Sequence, residues 1–394
     1  MPGGSLDHLR EQLAQLERAG TALRPRVLEG QQRARARFDG RDVINLASNN
    51  YLGLAAHPRL KEAASKAAAE LGAGSGAVRT IAGTMTLHRE LERRFATFKG
   101  AEDALMFQSG FTANSGTVAA ILSREDVIVS DELNHASIID GARLSRAEIK
   151  VFPHRDVDAA DRLLEESRAE GRRQLLITDG VFSMDGDIAP LPGLVEVAER
   201  HHAIMMIDDA HASGVLGKNG KGTVDHFGLT GRVDIQVGTL SKAIGVMGGF
   251  IAGPRHLIQW LVNRGRPFLF STSAPPAVTA ACLAALDVME EEPERFDRLW
   301  ERTNFFKDGL HRMGFDTGTS ETPITPVMTR EEVRAVELSS LLWEEGVFCP
   351  AIVFPTVGRD RARVRTIVTA DHTEEDLSEA LEAFERVGKK LALI

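Results

Sequence analysis

The stretch Ala203-Ile204-Met205-Met206-Ile207-Asp208-Asp209-Ala210-His211 carries the decision about the fold. A short apolar run ends there in a carboxylate and an imidazole three residues apart. Strands covered on both faces read as continuous apolar runs, and such strands belong to parallel sheets flanked by helices. Val127-Ile128-Val129, Leu175-Leu176-Ile177 and Ile235-Gln236-Val237 repeat the pattern, each followed by polar or Gly-rich residues. A helical stretch, Leu191 to His201, separates two of these runs. The alternation predicts an α/β fold: a mostly parallel sheet covered on both faces, with its chemistry where the strands end.

Toward the N-terminus, Ser5 is placed to cap a helix whose Leu6, Leu9, Leu13 and Leu16 recur at helical spacing and which ends at Gly20. A basic stretch follows, Leu23-Arg24-Pro25-Arg26 and then Arg33, Arg35, Arg37 and Arg41. It reads either as a solvated linker or as a lure for phosphate groups. Pro58 opens an Ala-rich helix that stops near Gly72. After about residue 285 the texture changes. Glu290, Glu291, Glu292 and Pro293 precede a long amphipathic helix through Leu310, then strand-like Ile324 to Met328, helix-like Glu331 to Glu345 and strand-like Arg363 to Thr369. The expected division is an N-terminal helix and arm (1–50), a large domain (51–285) and a smaller α+β C-terminal domain (286–394).

At about 150 residues per domain, 394 residues suit two or three structural units. With 43% hydrophobic and 26% charged residues, the composition excludes disordered, collagen-like and disulfide-scaffold classes. Two cysteines, Cys282 and Cys349, build neither a disulfide framework nor a four-ligand zinc site, so a reducing compartment and no metal are expected. The net charge of −9 argues against bulk nucleic-acid binding. Met1-Pro2-Gly3-Gly4-Ser5 lacks a basic region followed by an apolar stretch, and no run approaches the ~20 apolar residues of a membrane span. The expectation is a cytoplasmic protein without nucleic-acid or membrane partners.

Four strand-end segments hold chemistry-bearing residues. Asp208 and His211 close the first; alone, such an Asp caps a turn. Gly238-Thr239-Leu240-Ser241-Lys242-Ala243 is the second, where hydroxyls and glycines frame a lysine suited to burial and a lowered pKa. In the third, Gln108-Ser109-Gly110-Phe111-Thr112-Ala113-Asn114, a helix start offers free N–H groups to a phosphate. The fourth, Ser130-Asp131-Glu132-Leu133-Asn134-His135-Ala136-Ser137, sets His135 either to stack on a flat ring or to serve structurally. Asp208 lies 34 residues before Lys242, each after its own apolar strand. A lysine for a Schiff base, an acid for a pyridine nitrogen and a phosphate cup are the parts a pyridoxal phosphate enzyme needs.

On these residues the chain resembles the α-oxoamine synthases, acyl-CoA-dependent enzymes of the fold-type I pyridoxal phosphate class. The resemblance runs from Asn49-Asn50-Tyr51-Leu52-Gly53-Leu54 to Thr366 and includes Asn134-His135-Ala136-Ser137-Ile138-Ile139-Asp140-Gly141 and Asp179-Gly180-Val181-Phe182-Ser183-Met184-Asp185-Gly186-Asp187. It implies pyridoxal 5'-phosphate as cofactor, Lys242 as Schiff-base lysine, Asp208 facing the pyridine nitrogen and His135 stacked on the ring. It also implies His211 and Ser183 near the phenolic oxygen, and Gly110, Phe111 and Thr239 around the phosphate. Ser271 and Thr272 match phosphate contacts that relatives supply from a neighbouring subunit, which implies a homodimer with the active site at its interface. Arg365 matches the arginine that holds the amino-acid carboxylate, with Arg363 two residues away on the same strand face as the alternative. Arg24, Asn49, His135 and Thr356 match substrate contacts.

The implied reaction condenses a small amino acid with an acyl-CoA and releases the thiol. Lys242 would move the Cα proton, and His135 would orient the substrate and support the oxyanion. The Leu133 to Gly141 run and Val78-Arg79-Thr80-Ile81-Ala82-Gly83-Thr84 look most like the branch that joins glycine to acetyl-CoA, 2-amino-3-ketobutyrate CoA ligase. The alternative is the decarboxylating branch, 8-amino-7-oxononanoate synthase, which uses alanine and a pimeloyl thioester in biotin synthesis. One relaxed enzyme could serve both, since a methyl group in a pocket is worth only ~1–3 kcal/mol. A remoter alternative is an aminotransferase, which would share the Asp–Lys pair.

Overall fold

The computed structural model of the chain describes residues 4–18, 22, 24–169 and 172–394. A helix, Asp7–Arg18, comes first, with its leucines exposed rather than buried; the expected end at Gly20 lies outside the described residues. The basic stretch that follows is not a bare linker. It folds into a hairpin, β1 (Arg35–Phe38) and β2 (Arg41–Asn45), turned at Asp39 and Gly40. Its arginines are paired: Arg37 with Glu29 and Asp42, Arg35 with Asp376 and Glu379, and Arg26 with Asp39 while lying over the Trp343 ring. Alternating exposed and buried residues in β1 explain why the strand was hidden by its own charge.

The central sheet contains β3 (Asp103–Phe107), β4 (Val127–Asp131), β5 (Glu148–Phe152), β6 (Gln174–Asp179), β7 (Ile204–Asp208), β8 (Ile235–Thr239) and β9 (Gly249–Gly253). Their order is β3-β9-β8-β7-β6-β4-β5. The four pairings from β5 through β8 are parallel, and the two that involve β9 are antiparallel. The four apolar runs of the sequence are the four inner strands of the parallel part. Ile128, Leu175, Ile177 and Met206 pack on one face, and Val127, Val129, Leu176 and Met205 on the other. Residues next to each other in a strand point to opposite faces, so double-sided burial demands an unbroken apolar run. The edge strand β5, Glu-Ile-Lys-Val-Phe, is exposed along most of its length and lacks that signature.

Gly249 opens the antiparallel strand β9, with Gly248 just before it. A Cβ on Gly249 would stand 2.5 Å from the backbone nitrogen of Gly110. The glycine therefore marks where a helix start is brought hard against the sheet. The Ala-rich helix occupies Pro58–Leu71 with Gly72 after it, and Leu191–His201 is helical as expected.

The C-terminal part holds β10 (Ile324–Arg330), β11 (Val347–Phe348), β12 (Ala351–Ile352) and β13 (Ala362–Ile367). β13 lies antiparallel between β10 and β12, while β11 runs parallel to β2 of the arm. Ile44 and Leu46 accordingly share a core with Phe306, Leu310, Val364 and Phe384. Helices Glu294–Met313, Glu332–Glu344 and Glu374–Lys390 surround it. Cys282 and Cys349 are both free and buried. Among the described residues no helix is long and apolar enough to cross a membrane.

Behind β7 sits a fully buried ion pair. Lys99 Nζ donates to Asp209 Oδ2 at 2.7 Å, and both side chains are 0% exposed. The same amine donates to Ser213 Oγ and to the Lys221 carbonyl, while the Thr223 N–H donates to Asp209 Oδ2. Gly222 makes room, since a Cβ there would lie 2.0 Å from Asp209 Oδ2. Removing one partner of such a pair strands the other charge in the interior. Lys99→Met is expected to cost about 3–5 kcal/mol of unfolding free energy, read as a fall in urea midpoint with an unchanged slope. A loss under about 1 kcal/mol, the size of a surface pair, would contradict this assignment.

Candidate functional site

Parallel strands all finish on one side, and that is where the side chains converge. A cavity of about 250 Å³ opens there. After β3 it is lined by Ser109, Gly110 and Phe111; after β4 by His135 and Ser137; after β6 by Asp179, Val181 and Ser183. Asp208, at the end of β7, is followed by Ala210 and His211, and Thr239, at the end of β8, by Ser241 and Lys242. Ligands of open α/β sheets bind in such crevices at the carboxyl ends of strands.

One end of the cavity is built for an anion. Ser109 caps the helix Gly110–Ile121, its hydroxyl accepting from the Thr112 N–H. Among the described residues the Gly110 and Phe111 N–H groups find no acceptor, and the positive end of the helix points outward with them. Thr239 and Ser241 hydroxyls stand beside them, 2.8 Å apart.

The other end is acidic. Asp208 ends β7, and its carboxylate accepts from Asn114 Nδ2 at 2.6 Å and from the Ala210 N–H at 2.9 Å. Asp179 stands directly beside it in register on β6. Burial, with the neighbouring Asp208 charge adding to it, pushes the Asp179 carboxyl well above the usual carboxylate range. Asn114 Nδ2 also donates to Ser137 Oγ, so the Ser137 hydroxyl proton is free to meet His135 Nδ1 at 2.7 Å. The Ser137 N–H donates to the same Nδ1. Burial holds the His135 pKa below its ordinary value. A neutral ring accepting at Nδ1 carries its proton on Nε2.

Lys242 lies between the two ends. Burial lowers its pKa to about 8, against the opposing pull of Asp208 and Asp179. His211 is driven well below its ordinary value, first by burial and then by Lys242 and Arg365. Its Nδ1 is 2.7 Å from the hydroxyl of buried Tyr51. The two candidate arginines of β13 separate cleanly. Arg363, 1% exposed, is consumed by Asp185 at 2.7 Å and the Met184 carbonyl. Arg365 donates to the Ser183 carbonyl at 2.9 Å, leaves its Nε without a partner, and lies in the electrostatic field of Tyr51 and Lys242.

Gly110, Phe111, His135, Ser183, Asp208, His211, Thr239 and Lys242 thus share one cavity, with Arg365 alongside. The remaining sequence candidates stand outside its lining. Arg24 is on the surface, 3.6 Å from Glu17. Thr356 is exposed in the turn after Val353, and Asn49 keeps a buried Oδ1 without a partner. Ser271 and Thr272 follow exposed Phe270, and Thr272 is bridged to Val78 and held by Gln108 through its carbonyl. Sequence reasoning did not assign Asn114, Ser137, Asp179, Ser241 or Tyr51, although all five lie in stretches it singled out. Their signal is tertiary: Asn114 matters only because its helix faces β7.

The donor set fits pyridoxal phosphate. Two unpartnered helix-start N–H groups and two hydroxyls suit a phosphate, a hydrogen-bonded carboxylate suits a pyridinium, and an amine of lowered pKa suits an aldehyde. Residues 41–384 match the family of class I and II aminotransferases. An 8-amino-7-oxononanoate synthase of Symbiobacterium thermophilum is 61% identical over 98% of this chain and 99% of its own. Another, from Thermoanaerobacter pseudethanolicus, is 57% identical over 99% of this chain and 98% of its own. Among solved structures, the serine palmitoyltransferase of Sphingomonas wittichii superposes with a TM-score of 0.94 at 31% identity, covering 100% of both chains. The 8-amino-7-oxononanoate synthase of Francisella tularensis gives 0.76 at 27% identity, covering 88% of this chain and 98% of its own. A further serine palmitoyltransferase structure, similar at 30% identity and TM-score 0.95 over 100% of both chains, is one with PLP. The glycine and acetyl-CoA branch, preferred on sequence motifs, is not what these relatives are called; their names favour the alternative. The Leu133 to Gly141 run lies at the strand end that carries His135 and Ser137, so it reports the shared cavity rather than the acyl partner.

An amine with a pKa of about 8 is half unprotonated at that pH. In cofactor-free protein, arylation of Lys242, followed by peptide mass, should therefore rise with pH to half its maximum near pH 8. A midpoint near the ordinary lysine value of 10.5 would contradict the burial described here.

Proposed function

The chain belongs to the class I and II aminotransferase family and, within it, to the pyridoxal phosphate-dependent α-oxoamine synthases, and from that premise we propose that it condenses alanine with a pimeloyl thioester. The products are 8-amino-7-oxononanoate, carbon dioxide and free thiol, a step of biotin synthesis. The observation that carries this reading is the cavity that holds a lowered-pKa amine between a helix start and a hydrogen-bonded carboxylate. The choice among acyl partners is supported by the name shared by relatives at 61% and 57% identity.

In this reading Gly110, Phe111 and Thr239 would hold the phosphate of the cofactor and Lys242 would tether its aldehyde. Asp208 would keep the ring nitrogen protonated, His135 would cover the ring, and Ser183 and His211 would address the phenolic oxygen. When bound, pyridoxal phosphate supplies an aldehyde that captures the substrate amine and a ring that accepts an electron pair from Cα. Lys242, poised close to neutrality, takes the Cα proton and later returns one. Arg365 holds the alanine carboxylate through its guanidinium, and Arg363 is the structural member of the pair. His135, fixed with its proton on Nε2, donates toward the oxyanion that forms when the thioester carbonyl is attacked. Arg24, Asn49 and Thr356 are proposed as contacts to the substrates.

A second copy of the chain completes the site in this account. Ser271 and Thr272 are offered to the neighbour's phosphate end, and the surface around them carries Phe270 at 72% and Ile81 at 84% exposure. Large exposed apolar side chains grouped by the Val78–Thr272 bridge are what an interface core requires.

The test is product identification with alanine or glycine and a panel of acyl thioesters. Alanine with the pimeloyl thioester should release thiol and yield a product that has lost its carboxylate. A single methyl contact gives alanine a preference of about tenfold or more in kcat/KM over glycine. Faster turnover of glycine with acetyl-CoA, with the carboxylate retained, would reinstate the first sequence expectation. No thiol from any pair, with nitrogen moved to a 2-oxo acid, would make the chain an aminotransferase.

A further inference from the structure

Tyr51, which precedes the strands of the central sheet, reaches the cavity wall from outside that sheet. Its backbone is tied on both sides: its N–H donates to the Asn49 carbonyl, and its carbonyl accepts from the Ala370 N–H at 2.7 Å. Ala370 follows β13, so Tyr51 is held by the C-terminal part of the chain while its ring enters the large sheet's site. The next turn is locked as well. Gly53 has a positive φ of 72°, and a Cβ there would lie 2.2 Å from the Asp371 carboxylate. Tyr51 is 0% exposed, and its hydroxyl lies 2.7 Å from His211 Nδ1, with the two rings edge-on at 79°.

Among the described residues that nitrogen is the hydrogen-bond partner of the Tyr51 hydroxyl, and His211 Nε2 has none. A neutral imidazole has one N–H and one lone pair. If Nδ1 carried the proton, it would donate to Tyr51 and leave the phenolic O–H buried without an acceptor. If Nδ1 is the lone pair, Tyr51 donates and both groups are satisfied. The second arrangement leaves an N–H on Nε2, on a ring that lines the cavity. We infer that Tyr51 is a positioning residue: by donating to Nδ1 it fixes His211 as the Nε2–H tautomer, so that the cavity wall presents a hydrogen-bond donor rather than an acceptor. Burial first, and then Lys242 and Arg365, oppose a positive charge on His211, so the ring stays neutral and the tautomer is the quantity that matters.

This inference rests on the reading of the cavity as a pyridoxal phosphate site for the identity of the acceptor, the phenolic oxygen. It does not rest on it for the tautomer. The first measurement is therefore made on cofactor-free protein, by nitrogen NMR of histidine-labelled chain. His211 should show the Nε2–H pattern near neutral pH in the native sequence. In Tyr51→Phe it should shift to a mixture or to Nδ1–H. A native Nδ1–H or doubly protonated ring would overturn the inference, as would an unchanged pattern in Y51F.

The second measurement is the dissociation constant for pyridoxal phosphate. Y51F should raise it by about tenfold, the size of one lost hydrogen bond to an ionised oxygen. His211→Gln supplies an amide donor that needs no tautomer. In that background Y51F should change the constant by less than about twofold. A tenfold loss in both backgrounds would mean that Tyr51 acts only as structure. Should the variants not fold, the NMR of the native chain still decides the tautomer. A protein that binds no pyridoxal phosphate but shows the Nε2–H ring would overturn the cofactor reading and leave this one standing.

Discussion

The burial of one lysine amine within the field of two carboxylates is the constraint around which the molecule is arranged. Burial alone would drive a lysine toward neutrality, and opposite charges would hold it ionised. Here burial prevails, and Asp208 and Asp179 limit how far the shift goes. The balance needs a cavity that withdraws the amine from water and sets acid beside it. A parallel sheet provides that cavity, because its strands end together and each delivers a loop to the same crevice.

The groups around the amine form one connected set. Asn114 joins Asp208 to Ser137, and Ser137 in turn fixes the ring of His135. A single amide thus orients both the acid and the imidazole that flank the cavity. The C-terminal part of the chain contributes in parallel: β13 brings Arg365 to the Ser183 carbonyl, and Ala370 just after it holds the Tyr51 carbonyl. Residues far apart in the chain thus meet beside the cavity, Tyr51 before the central sheet and Arg365 on β13 after it. The buried Lys99–Asp209 pair holds the residue next to Asp208 from behind.

Much of this was legible in the chain because burial on both faces writes itself as apolar runs, and β4, β6, β7 and β8 are such runs. The residues just after them, His135, Asp208 and Lys242, could be singled out by position. What could not be read had other causes. The edge strand β5 and the hairpin β1–β2 are rich in charge because one side faces water, and β9 was masked by glycines that serve a close approach to Gly110. Arg363 and Arg365 share a strand face, so only the observed partners, Asp185 for one and the cavity field for the other, tell them apart. Tyr51 and Asn114 act across distances of 160 and 94 residues to His211 and Asp208, a coupling no local pattern expresses.

The most direct measurement is to reduce the cofactor-loaded protein with borohydride and locate the trapped pyridoxyl group by peptide mass. The account predicts one modified site, Lys242, with the yellow colour lost in proportion. A label on another lysine such as Lys99 or Lys307, or no label at all, would contradict it.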